Sequence, residues 1–142
     1  MRFMVLVKAN KDSEAGAMPD RKLIDAMGKF NEQLVNAGVM LAGEGLRPSS
    51  QGARVRFAGG KTSVTRGPFS GTEQLVARFW LWRADSLDEA VAWLKRAPFK
   101  DDEVEIRPVL EADDFGDELT PELREQEKRL RLKVEEQHSR RR

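Results

Sequence analysis

The chain has 142 residues, 39% of them hydrophobic, which is enough for one core of ordinary size and too little for several domains. Its 25 Lys and Arg against 24 Asp and Glu give a net charge of +1, which argues against a dedicated nucleic-acid-binding protein. The absence of cysteine excludes a disulfide framework, a thiolate metal site and a cysteine nucleophile, and it favours a cytoplasmic location.

The first predicted element is a strand at residues 3–7, which are all apolar. An apolar side chain on both faces is typical of a central strand. The run ends at Lys8 and is too short for a membrane span or a signal-peptide core, so we expect no membrane partner. The polar residues 11–18 are predicted to form a loop.

The first long helix is predicted to begin at Pro19 and Asp20 and to end at Gly38. Its apolar residues follow the i, i+4, i+7, i+11 spacing of one helical face. We therefore expect four residues to be buried: Leu23, Met27, Phe30 and Leu34.

The next segment is predicted to hold short strands and a loop. Residues 39–46 and 53–58 are interpreted as a strand pair, and Gly59-Gly60 as a turn into residues 62–65. Val55 and Phe57 face one way, and Arg54 and Arg56 face the other. Residues 66–71 contain a proline and two glycines and are predicted to form a loop.

The strongest predicted strand spans residues 75–83 and has Phe79 and Leu81 on one face and Trp80 and Trp82 on the other. Both faces are expected to be buried. The two tryptophans fit either the core of a dimer or the wall of an aromatic pocket, and the core interpretation is favoured.

A second helix is predicted after Ser86, where Glu89 completes a capping box. Its inward residues are predicted to be Leu87, Val91 and Leu94, and Pro98 is expected to end it. A last strand is predicted at residues 104–110.

The resulting order, β-α-β-β-(β)-β-α-β, predicts an α+β domain of the ferredoxin-like, split βαβ class. Two helices can cover only one face of such a sheet, although at least two strands are apolar on both faces. We therefore expect a homodimer in which two sheets stack face to face.

The composition changes near Asp113, where we place the boundary between a domain at residues 1–112 and a charged tail at residues 113–142. Thr120 and Pro121 predict the start of a helix with a thin apolar stripe. Residues 139–142 are expected to fray.

The residue types that the sequence lacks limit the chemistry that the protein could perform. The only histidine is His138 in the tail, and the chain has no tyrosine, so a Ser-His-Asp triad or a histidine metal centre in the core is not expected. No phosphate-binding glycine motif occurs, and we expect neither a metal nor another cofactor. Asp, Glu, Lys and Arg remain for acid–base work.

Three charged residues are the first candidates for a site. Glu44 lies between two glycines at a strand end, where a ligand or another backbone could approach closely; a solvated turn is the alternative. Arg54 and Arg56 share one strand face and could hold an anion, although such pairs more often form an exposed polar face.

The loop from Arg66 to Glu73 supplies the other candidates. Phe69, Thr72 and Glu73 could line the mouth of a pocket, or the loop could be a tight turn in which Phe69 fills the core. Because Arg66 is a cation, it would favour an anionic ligand. The three arginines at the C-terminus are a weak signal for nucleic acid.

Several segments together resemble the YCII-related family, in its branch named after an Asp-Gly-Pro-Phe motif. The resemblance covers nearly the whole chain. The segments are Met4 to Lys8, Ala42 to Pro48, Gly67-Pro68-Phe69, Phe79 to Trp82, and Val104 to Pro108. The tail, Asp114 to Gly116 and Leu119 to Arg124, is similar to one subgroup.

The resemblance implies a dimeric α/β barrel of ferredoxin-like subunits. It also implies a link to proteins that are encoded beside extracytoplasmic-function sigma factors and labelled as transcription-initiation proteins. Distant relatives resemble enzymes, among them a dehydrochlorinase with a His/Asp pair in its cleft. Here that histidine is missing, and Arg66 stands where the family motif has its aspartate.

Two functional hypotheses follow. The first is a dimeric, non-catalytic module that binds a small molecule or a protein partner, with a small anion as the possible ligand. The second is a lyase or isomerase acting on an anionic aromatic or carbonyl compound, with Glu44 or Glu73 as base and an arginine as anion clamp. An enzyme would need a cleft in which Glu44 and an arginine converge.

Overall fold

The computed structural model describes residues 1–140. It divides into two compact units, Met1–Val109 and a second unit that begins at Leu110. The sequence-based boundary near Asp113 falls three residues after the start of the second unit. None of the helices between residues 1 and 140 is both long and apolar enough to cross a membrane.

The first unit is built on a four-stranded antiparallel sheet in the order β2-β5-β1-β6, with a separate two-stranded hairpin, β3-β4. When the inserted β3-β4 hairpin is left out, this strand order is that of the split βαβ, ferredoxin-like fold. The strands are β1 (Arg2–Lys8), β2 (Met40–Gly45), β3 (Ala53–Ala58), β4 (Lys61–Arg66), β5 (Val76–Arg83) and β6 (Val104–Pro108).

Four α-helices accompany these strands. They are α1 (Lys11–Glu14), α2 (Arg21–Asn36), α3 (Leu87–Leu94) and α4 (Pro121–Arg140). Short 3-10 turns lie at Ser49–Gln51, Thr72–Gln74 and Ala112–Glu118. The single helical turn α1 lies within the segment that the sequence analysis predicted to be a loop. Asn10 caps it, because its side chain accepts a hydrogen bond from the Ser13 N–H at 2.9 Å.

The first strand is central as predicted, and so is β5, the strand predicted to be buried on both faces. β1 lies between β5 and β6, and β5 lies between β2 and β1. The prediction that residues 39–46 pair with residues 53–58 is wrong. β2 pairs with β5 instead, and β3 pairs with β4 through the Gly59-Gly60 turn. Both glycines have a positive φ, as a two-residue hairpin turn of this kind requires.

One face of the sheet is covered by helices and carries the core. Phe3, Val5, Trp80 and Trp82 are buried on this face, and the Phe30 ring of α2 contacts both tryptophans edge-on. The tryptophans therefore lie in the hydrophobic core of this unit.

The opposite face of the sheet, here called the open face, carries Met4, Leu6, Phe79 and Leu81. The strand register places these side chains together, because Leu6 lies opposite Phe79 and Met4 opposite Leu81. All four are partly exposed. The partly exposed apolar face of the sheet is thus the one without tryptophans.

The helical predictions are confirmed in part. In α2 the side chains of Met27, Phe30 and Leu34 are buried as predicted, and Asp20 caps the helix. Leu23 is 39% exposed because it lies in the first turn. In α3 the predicted inward Leu87 is 46% exposed, and Ala90 takes the buried position instead.

The second unit contains the 3-10 segment Ala112–Glu118 and α4. Thr120 caps α4 as predicted, accepting a hydrogen bond from the Leu123 N–H at 3.3 Å. Arg124 forms an ion pair with Asp113 at 3.1 Å. No residue of α4 is buried. The helix includes Ser139 and Arg140, which were expected to fray, and residues 141–142 lie outside the described part of the chain.

Candidate functional site

The loop at residues 67–71, called the motif loop here, is held against the turn that follows β2. The Phe69 N–H donates a hydrogen bond to the Ser49 hydroxyl at 3.0 Å. The Gly67 N–H donates to the Gly52 carbonyl at 3.0 Å. The loop therefore has a defined position relative to β3, although it has no regular structure of its own.

Glu14 extends this connection to α1. Its carboxylate accepts two hydrogen bonds from Ser49, one from the backbone N–H at 2.9 Å and one from the hydroxyl at 2.5 Å. The three residues Glu14, Ser49 and Phe69 thus form a chain of hydrogen bonds, called the loop clamp below. The Ser49 hydroxyl is the central link, because it donates to Glu14 and accepts from Phe69.

The hydrogen bonds from the Ser49 hydroxyl and backbone lower the pKa of the Glu14 carboxyl below its ordinary value of 4.5. Hydrogen bonds to the charged form stabilise that form, so Glu14 is a carboxylate at neutral pH. A carboxylate with a lowered pKa is a poor proton acceptor, which favours a structural role for the loop clamp over a role in activating the serine.

Gly67 allows the loop to approach this turn. A Cβ atom at this position would lie 1.7 Å from the Ser49 carbonyl oxygen and 2.6 Å from the Ser49 carbonyl carbon. Both are backbone atoms that cannot rotate away. The glycine of the Gly-Pro-Phe sequence is thus required by close packing in this structure.

Arg54 and Phe69, both predicted site residues, are brought together. The Arg54 guanidinium lies over the Phe69 ring, with its central carbon 4.0 Å from the ring centroid. Arg54 forms no ion pair or hydrogen bond with another residue of the described chain, 1–140. The ring contact leaves the guanidinium N–H groups without a hydrogen-bond partner among residues 1–140, and these are the donors that bind carboxylates.

Arg56 lies on the same face of the hairpin as Arg54, about 7 Å further along the strand. Arg66 lies on the other face, because the register places it opposite Ala53, whereas Arg54 lies opposite Thr65. All three arginines are exposed. The structure therefore groups Arg54 with Arg56 and separates Arg66 from them.

Glu44 is exposed on the edge strand β2, opposite Phe79 and so on the open face. It forms no ion pair with any residue from 1 to 140. Of its flanking glycines, Gly43 is required by packing, since a Cβ there would lie 2.6 Å from the Trp80 ring. No hydrogen bond or ion pair within residues 1–140 joins Glu44 to Arg54, Arg56 or Arg66.

Thr72 and Glu73 line a different feature, a shallow surface depression of about 310 Å³. Two lysines and four carboxylates surround it, and Lys8 is already paired with Glu105 at 3.4 Å. This balance of charge suits a cation better than an anion. The lining residues are Lys8, Ala9, Asn10, Lys11, Thr72, Glu73, Asp101, Asp102 and Glu103.

The predicted concavity is therefore divided over four places: the open face with Glu44, the Arg54 face of the hairpin, the opposite hairpin face with Arg66, and the acidic depression. Glu14 and Ser49 belong to the site region and were missed by the sequence analysis. A signal was present in Asn10 and Ser13, which form a reciprocal capping box around α1. No group of three or more His, Asp or Glu side chains within residues 1–140 is arranged to hold a metal ion.

The antiparallel sheet with β2-β5-β1-β6 order and two covering helices defines an α+β protein of ferredoxin-like topology, with an inserted hairpin that carries the arginines. Comparison with protein families also identifies the family to which the chain belongs. The YCII-related domain matches residues 1–113, and the chain belongs to this family.

No curated protein matches the chain at a significant level. Among solved structures, the chain is similar to 5-chloro-2-hydroxyhydroquinone dehydrochlorinase (TftG) from Burkholderia phenoliruptrix AC1100, in complex with 2,5-dihydroxybenzoquinone. The two are 17% identical, and the match covers 78% of this chain and 96% of the other with a TM-score of 0.39. A superposition of that quality supports no statement about the activity of this chain.

Proposed function

We propose that this protein is a homodimeric, non-catalytic binding module that takes a small organic anion on the Arg54 face of its hairpin. The observation that carries the proposal is the stacked Arg54 guanidinium over Phe69, whose N–H edge has no partner within the described chain. Arg56 supplies a second cation on the same face. A carboxylate that bridges the two would satisfy the free donors.

The local charge supports an anionic ligand. Residues 46–72 contain five cations and no acid, which leaves 20 Lys and Arg against 24 Asp and Glu in the rest of the chain. None of these five cations forms an ion pair within residues 1–140. An uncompensated basic segment on a nearly neutral protein attracts anions through its local potential, which the net charge does not reveal.

The loop clamp gives this site its rigidity. Phe69 can support Arg54 only if the motif loop stays in place, and the hydrogen bonds through Ser49 to Glu14 hold it there. A preorganised stacking platform lowers the entropic cost of binding, because the arginine is already oriented. In this proposal the Gly-Pro-Phe sequence contributes to binding by holding Phe69 in the position where it supports Arg54.

The proposed test is a titration followed by ¹⁵N NMR, with benzoate as the probe and chloride at equal ionic strength as the reference. We expect benzoate to shift the Phe69 amide resonance, and Arg54→Ala to weaken binding about tenfold or more. Lys61→Ala, which removes one positive charge at the far end of the hairpin, is the matched control and should change the affinity less than about twofold. Equal losses in both variants would mean that the effect is general electrostatics, with no site at Arg54.

Arg66→Asp separates the two faces of the hairpin. The sequence analysis expected Arg66 to set the charge of the ligand. Because Arg66 lies opposite Ala53, we now expect Arg66→Asp to weaken benzoate binding less than Arg54→Ala does. A larger effect of Arg66→Asp would favour the original arrangement, in which the ligand spans both faces.

The open face supports the dimer. Met4, Leu6, Phe79 and Leu81 form a contiguous apolar surface on the side of the sheet opposite to the tryptophans. Stacking two such faces would bury these side chains and give the dimeric barrel that the family resemblance implies. Sedimentation of the chain at micromolar concentration as a 16 kDa monomer would refute this part of the proposal.

The remaining expectations from the family resemblance stay predictions: membership in the Asp-Gly-Pro-Phe branch, the cytoplasmic location and the link to sigma-factor regulation. The enzymatic alternative needs a carboxylate base beside an arginine. Among residues 1–140, Glu44 forms no ion pair with any of the arginines, and Glu73 lines a depression whose charge suits cations. The binding function is therefore the better supported.

A further inference from the structure

The β3-β4 hairpin has one face whose large apolar side chains are exposed. Val55 and Val64 lie directly opposite each other, and Phe57 follows on the same face, opposite Thr62. Phe57 is 79% exposed, Val64 61% and Val55 51%. A two-stranded hairpin with every residue exposed is marginally stable in water, so this face lacks the packing that such a hairpin needs.

We propose that this face is the arm of the homodimer: Val55, Phe57 and Val64 of one subunit pack on the surface of a second copy of the chain. The inference rests on the proposed dimer and adds to it the element that completes the interface. It concerns the hairpin face opposite to Arg54 and Arg56, so anion binding and dimer contact use different sides of the same ribbon.

The area of the interface favours a second copy as the occupant. A stable dimer buries about 800 Å² per subunit, of which about 65% is apolar, so roughly 500 Å² of apolar surface is required. The four apolar side chains of the open face are each no more than about a third exposed. At about 200 Å² for a large side chain, together they offer at most roughly 300 Å².

The hairpin supplies the apolar area that the open face lacks. At the same area per large side chain, Phe57, Val55 and Val64 expose roughly 380 Å² more. The open face and the arm together reach the apolar area that a stable dimer needs, and the open face alone does not. The cations Arg54 and Arg56 point to the other side of the ribbon. Within the hairpin, Arg66 is the one cation that the register places on the arm face itself, opposite Ala53 at the end of the hairpin away from the turn, and the three apolar side chains lie between it and the turn.

Spin labels can test the arm in the protein as it exists, because the chain has no cysteine of its own. Thr62→Cys places a nitroxide label on the apolar face opposite Phe57, and Ser63→Cys places one on the Arg56 face as the matched control. We expect the label at position 62 to be immobilised at concentrations where the chain is dimeric and to become mobile on dilution. The label at position 63 should stay mobile throughout.

A variant provides the second measurement. We expect Phe57→Ser to raise the dimer dissociation constant at least about a hundredfold by sedimentation, since a buried aromatic anchor dominates such an interface. Ile24→Ser, which changes a side chain of α2 that is 54% exposed, should leave the constant within about threefold.

The outcomes separate this inference from the proposed dimer. A dimer in which both labels are mobile and Phe57→Ser has no effect would refute the arm and leave the dimer standing. A label at position 62 that stays immobile in the diluted monomer would mean that the chain's own residues cover the face, and it would also refute the arm. A chain that is monomeric at every concentration would refute both.

Discussion

Gly67→Ala is the substitution that most directly tests the packing of the motif loop. The added methyl group would lie 1.7 Å from the Ser49 carbonyl oxygen, about half of an ordinary contact distance. The loop must therefore move away from the turn at Ser49–Gln51. Such a shift would break the two hydrogen bonds that Gly67 and Phe69 donate to this turn.

The expected cost follows from these contacts. Forcing a methyl group into a packed position costs about 1–3 kcal/mol, and each lost hydrogen bond costs about 0.5–1.5 kcal/mol. A total of about 2–6 kcal/mol corresponds to a fall in melting temperature of about 10 °C or more for a unit of this size. The same variant should lose benzoate binding, because Phe69 would no longer support Arg54.

Differential scanning calorimetry and urea unfolding measure this cost, and Gly28→Ala is the control. Gly28 lies on the exposed side of α2 with no atom within 4 Å of an added Cβ, so alanine there should stabilise the protein by up to about 1 kcal/mol. A melting temperature for Gly67→Ala within about 2 °C of the wild type would refute the close packing of the loop against Ser49.

Three further predictions concern the clamp, the core and the tail. The pKa of the Glu14 carboxyl is lowered in the folded state, so the ionised carboxylate stabilises the fold fully above the ordinary pKa of 4.5, and this stabilisation is lost as the pH falls through the folded pKa. Glu14→Gln should therefore make the melting temperature less dependent on pH in the acid range. Gly43→Ala should displace the buried Trp80 ring, lower stability by about 1–3 kcal/mol and change the tryptophan emission; unchanged emission would contradict the contact. Truncation after Asp117 should lower the melting temperature by less than about 5 °C, since α4 buries no residue, and a larger loss would show that the tail is structural.

The central part of the fold could be predicted because its signals are local and strong. The strands β1 and β5 are apolar on both faces, and this property placed them in the middle of the sheet. The spacing of Met27, Phe30 and Leu34 gave the buried side of α2. The pairing of residues 39–46 was wrong because their actual partner, β5, lies about 35 residues further along the chain, and the sequence carries no local mark of that distant contact.

The site was harder to predict because its residues come from distant segments. Glu14 and Ser49 are 35 residues apart, and each is an ordinary polar residue in a turn-forming segment. The capping box at Asn10 and Ser13 ends in a serine, whereas the common pattern ends in Glu or Gln, and α1 therefore went unnoticed. Only the folded chain brings α1, the Ser49 turn and the motif loop together.

The two surfaces proposed for the hairpin both depend on the register in which β3 pairs with β4. Alternation along β3 puts Arg54 and Arg56 on one side and Val55 and Phe57 on the other, and the register of β4 adds Val64 to the apolar side. A slip of the register by one residue would move every side chain of β4 to the opposite face. The turn at Gly59-Gly60, where both residues have a positive φ, fixes this register, and therefore it determines both the cationic face that would hold an anion and the apolar face that would meet a second subunit.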